Sequence, residues 1–358
     1  MQGSSDQAFF QMMRTPLVLS FLLVAGCWHS GPPASGGGDL ELPFEVSEPI
    51  RLTYSAGFDR GPSWSTEPGR IVYAFDRDWT STGLPKSCVG DLAASGGSRG
   101  WEVCDEGAAR RDTSTTAEWP ARRSDGAVAF IRRRWSPYGI SPYFSDLALH
   151  PAGEGQAART IIPIPYYSSP TARTHQGISH LQWLDATHLL YLALGVIRSL
   201  NDNVETGLEI VILTPADSLA GVTVVPGTLY ASSVDVGENN DTIYYTMGGD
   251  SRVYRRTLST GVVETVADFG ALGIARDVKV RAGRLVAVVG GNVSFGPHAN
   301  LGMAQYDYGG PIYSVGISSW TPTLVTQSDA LYRHPALAPD GSRVVAERNF
   351  DLWSIVLP

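Results

Sequence analysis

Cysteine is scarce in this chain, basic residues are outnumbered, and no apolar run is long enough to cross a bilayer as a helix. Each shortage removes a class of protein. Three cysteines in 358 residues rule out a disulfide-dense scaffold, and they carry no spacing that would hold zinc. Lysine and arginine total 27 against 35 acids, a formal net charge of -8, with no polybasic stretch. Nucleic acid and anionic membrane surfaces both call for a basic footprint, so neither is a partner. The sequence also lacks a P-loop, a dinucleotide fingerprint, H-E-x-x-H and a recognisable carboxylate pair, and no cofactor is expected.

The fragments that imitate chemistry are weak. Gly96–Gly100 reads G-x-S-x-G, but it sits in a glycine-rich link with no helical pattern after it, so the nucleophile-elbow context is missing. His175 and His180 are five apart, wrong for one face of a strand, and no carboxylate lies between them. A metal site would have to be assembled from distant segments, and none is assigned. Leu200–Gly207 (LNDNVETG) offers oxygen ligands without the full calcium-loop pattern and reads as a solvated turn.

What is present is a repeat. An apolar or Trp-bearing stretch, a polar turn and a second apolar run recur at Pro62–Phe75, Ala117–Ile131, His180–Leu194, Ser232–Thr246, Asp277–Val289 and Pro335–Glu347. Each copy reads as a β-hairpin. A hairpin cannot bury both its faces alone, and stacking copies around an axis solves the problem. A third run follows in each repeat, such as Ser145–His150 or Leu208–Leu213, and usually a fourth, such as Arg159–Ile164 or Val222–Val225. The last repeat ends one strand short, at Asp351–Leu357. Pro49–Ser55 alternates correctly and can supply the missing strand. The fold expected is all-β: a six-bladed β-propeller closed by pairing of its N- and C-terminal strands. Its six innermost strands are anchored at Trp64, Trp119, Trp183, Val234, Val278 and Leu337, where the tryptophans are expected to pack between blades.

The N-terminus reads as a targeting segment. Arg14 precedes the apolar Leu17–Ala25, which is too short to span a bilayer, and Val24-Ala25-Gly26-Cys27 resembles the bacterial lipobox. The layout expected is a signal peptide over 1–27 with Cys27 lipidated, a Gly/Ser/Pro-rich tether over 28–41, and the propeller over 42–358. That implies an exported protein, lipid-anchored to a bacterial membrane, with the outer membrane as the expected one and the body facing the periplasm or the exterior. With Cys27 assigned to lipid, Cys88 and Cys104 remain. An even remainder in an oxidising compartment points to one disulfide on the outer strands of the first blade; two buried thiols are the alternative.

PALAPDGSRVVAERNFDLWSIVL, at Pro335–Leu357, resembles the TolB-type propeller repeat, of the PD40/WD40-like kind, and PSWSTEPGRIVYAF is a weaker copy. The fourth and fifth repeats depart from it: Ser232–Thr246 lacks the Pro and Trp, and Asp277–Val289 has lost the Pro-Asp-Gly turn. The resemblance implies a six-bladed propeller of the cell envelope, often a protein-binding module.

Turns between the first and second strands of each blade are short, whereas connections opening on the other face are long: Asp76–Ser87, Arg134–Phe144, Gly195–Gly207 and Gly290–Gly310 among them. Long loops on a rigid scaffold concentrate function, and Tyr, Trp and Arg dominate interface hot spots. Trp79, Trp135, Tyr138, Tyr166, Arg173, Arg198, Phe295, His298, Tyr306 and Arg333 are therefore the candidate binding residues. The leading reading is a non-catalytic module that binds an envelope protein or peptide. The rivals are a propeller enzyme, a glycan lyase or hydrolase acting at the channel mouth, and a small-ligand accessory protein. A cluster of buried His, Asp or Glu at the channel would mark the enzyme, and an open aromatic rim with unshifted carboxylates the binder.

Overall fold

The repeat's hairpins are apolar on both sides of the second strand, and the reason lies in how the blades stack. The computed structural model describes residues 48–358 apart from 55–57, 78–85, 98, 105–113, 136–141, 153–156, 165, 169–172, 199–203, 215–220, 291–292, 299–301, 308 and 317–320. Strand β1 is Ile50–Arg51. The first blade contains β2 (Asp59–Trp64), β3 (Arg70–Arg77), β4 (Lys86–Ala93) and β5 (Arg99–Cys104). The second contains β6 (Ser114–Arg122), β7 (Val128–Trp135), β8 (Pro142–His150) and β9 (Arg159–Ile164). The third is β11 (Arg173–Trp183), β12 (Leu189–Arg198), β13 (Val204–Leu213) and β14 (Val222–Val224), with β10 (Tyr166–Ser168) paired to β11 as a fifth strand.

The fourth blade is β15 (Ala231–Val236), β16 (Thr242–Met247), β17 (Arg252–Thr257) and β18 (Val263–Asp268). The fifth is β19 (Ala275–Arg281), β20 (Arg284–Val289), β23 (Ile312–Gly316) and β24 (Thr323–Leu324). A separate hairpin, β21 (Val293–His298) with β22 (Gly302–Asp307), is inserted between β20 and β23. The sixth is β25 (Arg333–Leu337), β26 (Arg343–Arg348) and β27 (Asp351–Val356), and β1 is its outer strand.

The ring closes as the strand count requires. Ile50 lies opposite Ser354 and Arg51 opposite Trp353. Leu52 donates its N–H to the Leu352 carbonyl at 2.8 Å, and the Leu352 N–H reaches the Thr53 hydroxyl at 2.9 Å. Arg51 pairs with Asp351 at 2.7 Å. Each innermost strand packs on the next, β2 on β6, then β11, β15, β19, β25 and back to β2.

The core is distributed over the seams between blades. One apolar cluster sits at each of the six seams. In β3, Ile71, Tyr73 and Phe75 face the sixth blade, whereas Val72 and Ala74 face the second. Both alternation sets are buried, so the second strands read as near-continuous apolar runs (IVYAF, LLYLAL, LVAVV) where a half-exposed strand would alternate. At about 25 cal/mol per Å² of apolar surface, these seams are the main source of stability.

Several of the long connections turn out to be strand. β3 continues to Arg77 and β4 begins at Lys86; β12 runs to Arg198 and β13 begins at Val204. Most of Gly290–Gly310 is the β21–β22 hairpin. Its neck is held by Arg276, wholly buried, whose guanidinium donates to the carbonyls of Gly290 and Gly309.

Candidate functional site at the propeller axis

Every innermost strand carries a β-bulge at the same level: at Gly61, Trp119, His180, Ser232, Asp277 and His334. A bulge inserts an extra residue and turns its side chain out of the ladder. Five of these residues are left-handed: Gly61 at φ 57°, Trp119 at 51°, His180 at 53°, Asp277 at 48° and His334 at 47°. Side-chain-bearing residues pay strain there, and such strain gathers where the fold over-determines a site. Gly61 is the one glycine, and a Cβ on it would come within 3.2 Å of the Trp119 backbone nitrogen.

These residues meet across the axis. The Trp119 ring stacks on His180 at 4.4 Å between centroids and meets the edge of His334 at 4.5 Å. His180 Nε2 lies 2.9 Å from Asp277 Oδ1, and its Nδ1 lies 3.1 Å from the Ser179 hydroxyl. Asp277 Oδ2 accepts the His334 N–H at 3.2 Å. His334 Nδ1 lies 2.8 Å from Glu347 Oε1, which also accepts the Gly61 N–H at 2.5 Å.

Burial alone would raise the Asp277 carboxyl. The His180 hydrogen bond and the nearby charges of His334, His180 and Arg276 instead hold it far below the usual carboxylate range. Glu347 behaves alike, with burial opposed by His334, Arg333 and the Gly61 N–H. Burial depresses His180, and Asp277 only partly restores it.

A second ring of side chains ties each blade to the next. The Ser63 hydroxyl donates to the Pro120 carbonyl at 2.8 Å, and Trp183 Nε1 to the Ala121 carbonyl at 3.0 Å. Gln182 donates to the Val234 carbonyl at 3.0 Å, and Asp235 accepts the Val280 N–H at 2.8 Å. Trp64 Nε1 reaches the Ala336 carbonyl at 2.9 Å. Trp64 and Trp183 thus pack between blades as expected from sequence. Trp119 packs partly against the apolar cluster between the second and third blades, but Arg122 occupies the position equivalent to Trp64 and Trp183, and Trp119 sits three residues earlier, at the bulge, with its ring also on His180 and His334. The longer spacing from Trp119 to its glycine turn, against that from Trp64, was the available signal.

The axial layer separates two cavities. One of about 280 Å³ opens on the short-turn face, beside Trp64, Trp183, Lys279 and Arg281. The other, of about 230 Å³, opens on the opposite face beside Phe58, Arg60, Arg333 and Phe350. Phe58 meets Phe350 edge-on at 4.4 Å, and Phe350 is exposed at φ 69°.

Of the candidate binding residues, Arg333 is fully described. It lines the second cavity, 3.7 Å from Glu347. The backbone places Trp135 at the end of β7, Arg173 at the start of β11 and Arg198 at the end of β12; Tyr166 lies on β10, and Phe295, His298 and Tyr306 on the β21–β22 hairpin. These strand ends open on the face away from the short turns. Trp79 and Tyr138 lie outside the described residues, as do Cys27 and 28–41. Cys88 is disulfide-bonded, and Cys104 is the residue opposite it across β4 and β5. The G-x-S-x-G stretch leads into strand β5 rather than a helix.

A cluster of buried His, Asp and Glu with shifted carboxylates is therefore present, the sign set out above for an enzyme. His180, Asp277 and His334 line the first cavity, His334 and Glu347 the second, and both acids also serve in bonds between blades. Among the described residues no group of three His, Cys, Asp or Glu is arranged to hold a metal. Among them, too, no helix is long and apolar enough to cross a membrane.

No family model and no curated protein matches the sequence. Solved structures do match in shape. TolB from Acinetobacter baumannii superposes with a TM-score of 0.51 at 14% identity, over 81% of this chain and 64% of that one. The chain thus spans less than two thirds of that protein. The gluconolactonase XC5397 from Xanthomonas campestris gives 0.51 at 11% identity, over 87% of this chain and 96% of its own. One match is named for an enzyme and the other is not, which shows that this scaffold does not fix an activity. Over its described residues the chain is a six-bladed β-propeller of the fold seen in TolB and other propeller proteins.

Proposed function

We propose that this is an exported, lipid-anchored propeller that binds an envelope protein or peptide and performs no chemistry. The observation that carries the reading is the projection of three blades on one face. β7, β11–β13 and the β21–β22 hairpin extend there, the hairpin reaching β11, and they bear Trp135, Arg173, Arg198, Phe295, His298 and Tyr306, with Tyr166 on the neighbouring β10. Trp, Tyr and Arg are the residue types that dominate interface hot spots. The use of the axial acids as ties between blades supports the absence of catalysis.

The test is a pull-down from envelope extracts with the wild-type protein, Trp135→Ala and Tyr306→Ala. The partner should be retained by the wild type and weakened by about 1–2 kcal/mol in each variant. Equal retention by all three would refute the rim. The enzyme reading has one favouring observation, the His180–Asp277 pair beside a cavity. Turnover of envelope glycans that Asp277→Asn abolishes would install it instead.

A further inference from the structure

The short-turn face holds the more developed recess, although loop lengths point to the other face. Beside the axial cavity lies a groove of about 720 Å³ between the turns of the first and sixth blades. Trp64, Ser65, Thr66 and Pro339 line both, so the two are one slot that starts at the axis and runs outward along the seam closed by the chain termini.

The slot is polar in a graded way. Its outer half is walled by Trp64, Pro68, Ala94, Ala338 and Pro339. The charges there are of both signs: Glu67 pairs with Arg122 at 2.6 Å, and Asp340 and Arg343 both line the groove from the sixth blade's turn. Its inner end has two cations on one acid. Lys279 lies 3.3 Å and Arg281 2.7 Å from the buried Asp235, and both cations are part-exposed. Asp277 below them is hydrogen-bonded by His180 and the His334 N–H and faces the charge of Arg276. Two part-exposed cations thus stand together at the axial end of an apolar trough, on a protein whose net charge is -8.

We propose that this slot binds an extended peptide segment of a partner protein, with an acidic side chain or a terminal carboxylate at Lys279 and Arg281 and an apolar side chain in the trough beside Trp64. Charge complementarity orients the segment, since Lys279 and Arg281 sit together at the inner end. The apolar trough supplies the burial. This site is separate from the aromatic rim, and neither depends on the other.

The experiment is selection of a displayed random heptapeptide library on purified wild-type protein. Selected peptides are then synthesised and measured by fluorescence anisotropy against wild type, Lys279→Gln, Thr66→Trp and Trp135→Ala. Thr66 is exposed where the two recesses join, so the bulkier side chain blocks the slot without entering the core. Selected sequences should carry Asp, Glu or a free carboxyl terminus at one end and an aromatic or aliphatic residue a few positions away. Lys279→Gln should weaken binding at least fivefold and Thr66→Trp should abolish it, with melting temperatures unchanged, while Trp135→Ala should bind as wild type does. No selected motif, a basic motif, or binding indifferent to both slot variants would overturn the proposal. Loss of binding in Trp135→Ala alone would assign the peptides to the opposite rim.

Discussion

His180 of the third blade reaches past the fourth to Asp277 of the fifth, with Nε2 and Oδ1 2.9 Å apart and both side chains buried. The fourth blade permits this because its own bulge carries the small Ser232, whose hydroxyl turns to Thr246 at 2.8 Å. The channel is thereby crossed by a bond between blades that are not neighbours.

Acid should loosen this axis in two steps. His180 is depressed below its usual 6.5, so the unfolded chain takes up its proton first and stability falls as pH drops through the window just below 6.5. Asp277 and Glu347 are depressed as well. Their contribution is complete above the ordinary carboxylate values and is lost as pH falls toward their folded values. Urea midpoints between pH 7 and 3 should decline across both ranges, and Asp277→Asn should flatten the lower, carboxylate range while deepening the His180 range, where Asp277 partly offsets burial. A pH-independent midpoint would show that these groups are not coupled to folding.

The tryptophans should separate by role. Trp64→Phe keeps the ring but removes the donor to Ala336, at a cost of about 1 kcal/mol. Trp119→Ala removes the stack on His180 and His334 and leaves the left-handed backbone strained, costing about 3 kcal/mol or more. Chemical denaturation measures both. Equal losses would contradict the distinction between seam and axis.

Terminal closure makes two truncations unequal. Deletion through Ser55 removes β1 and the buried Leu52, worth about 1.5–3 kcal/mol for the side chain alone. It also leaves β27 as an open edge prone to association. Deletion through Glu41 spares all of these contacts. Thermal melts of the two should differ by several degrees, and coincident curves would refute closure by β1.

The cysteines can be tested directly. Thiol titration of unfolded, unreduced protein should find neither Cys88 nor Cys104 free. Reduction should cost about 3 kcal/mol for the loop of 15 intervening residues, less any strain.

Cys27→Ser should abolish acylation and release the protein from membranes. Membrane association that survives this change in high salt, without lipid labelling, would point to another anchor.

Local patterning carried much of the outcome. Apolar runs such as IVYAF and LLYLAL, bounded by the short turns of Glu67, Asp125 and Asp340, were legible as hairpin strands, and their burial on both faces follows from blade stacking. The spare outer strand at Pro49–Ser55 was legible because a propeller must pair its last edge, and β1 pairs there. These features depend on neighbours in sequence, where periodicity is informative.

The axial site was not legible. Trp119, His180, Asp277, His334 and Glu347 belong to four different blades and meet because each strand bulges at one level. A bulge of a single residue leaves no mark on hydrophobic periodicity, yet it rotates the next side chain by half a turn, which is why Trp119 was grouped with Trp64. The slot along the closing seam was equally hidden, since its walls come from Trp64–Gly69 and Ala338–Arg343, at opposite ends of the chain. Sequence determines which residues form strands and how many blades they fill. Only closure of the ring decides which side chains share the axis, because that proximity is created by blade packing between segments far apart along the chain.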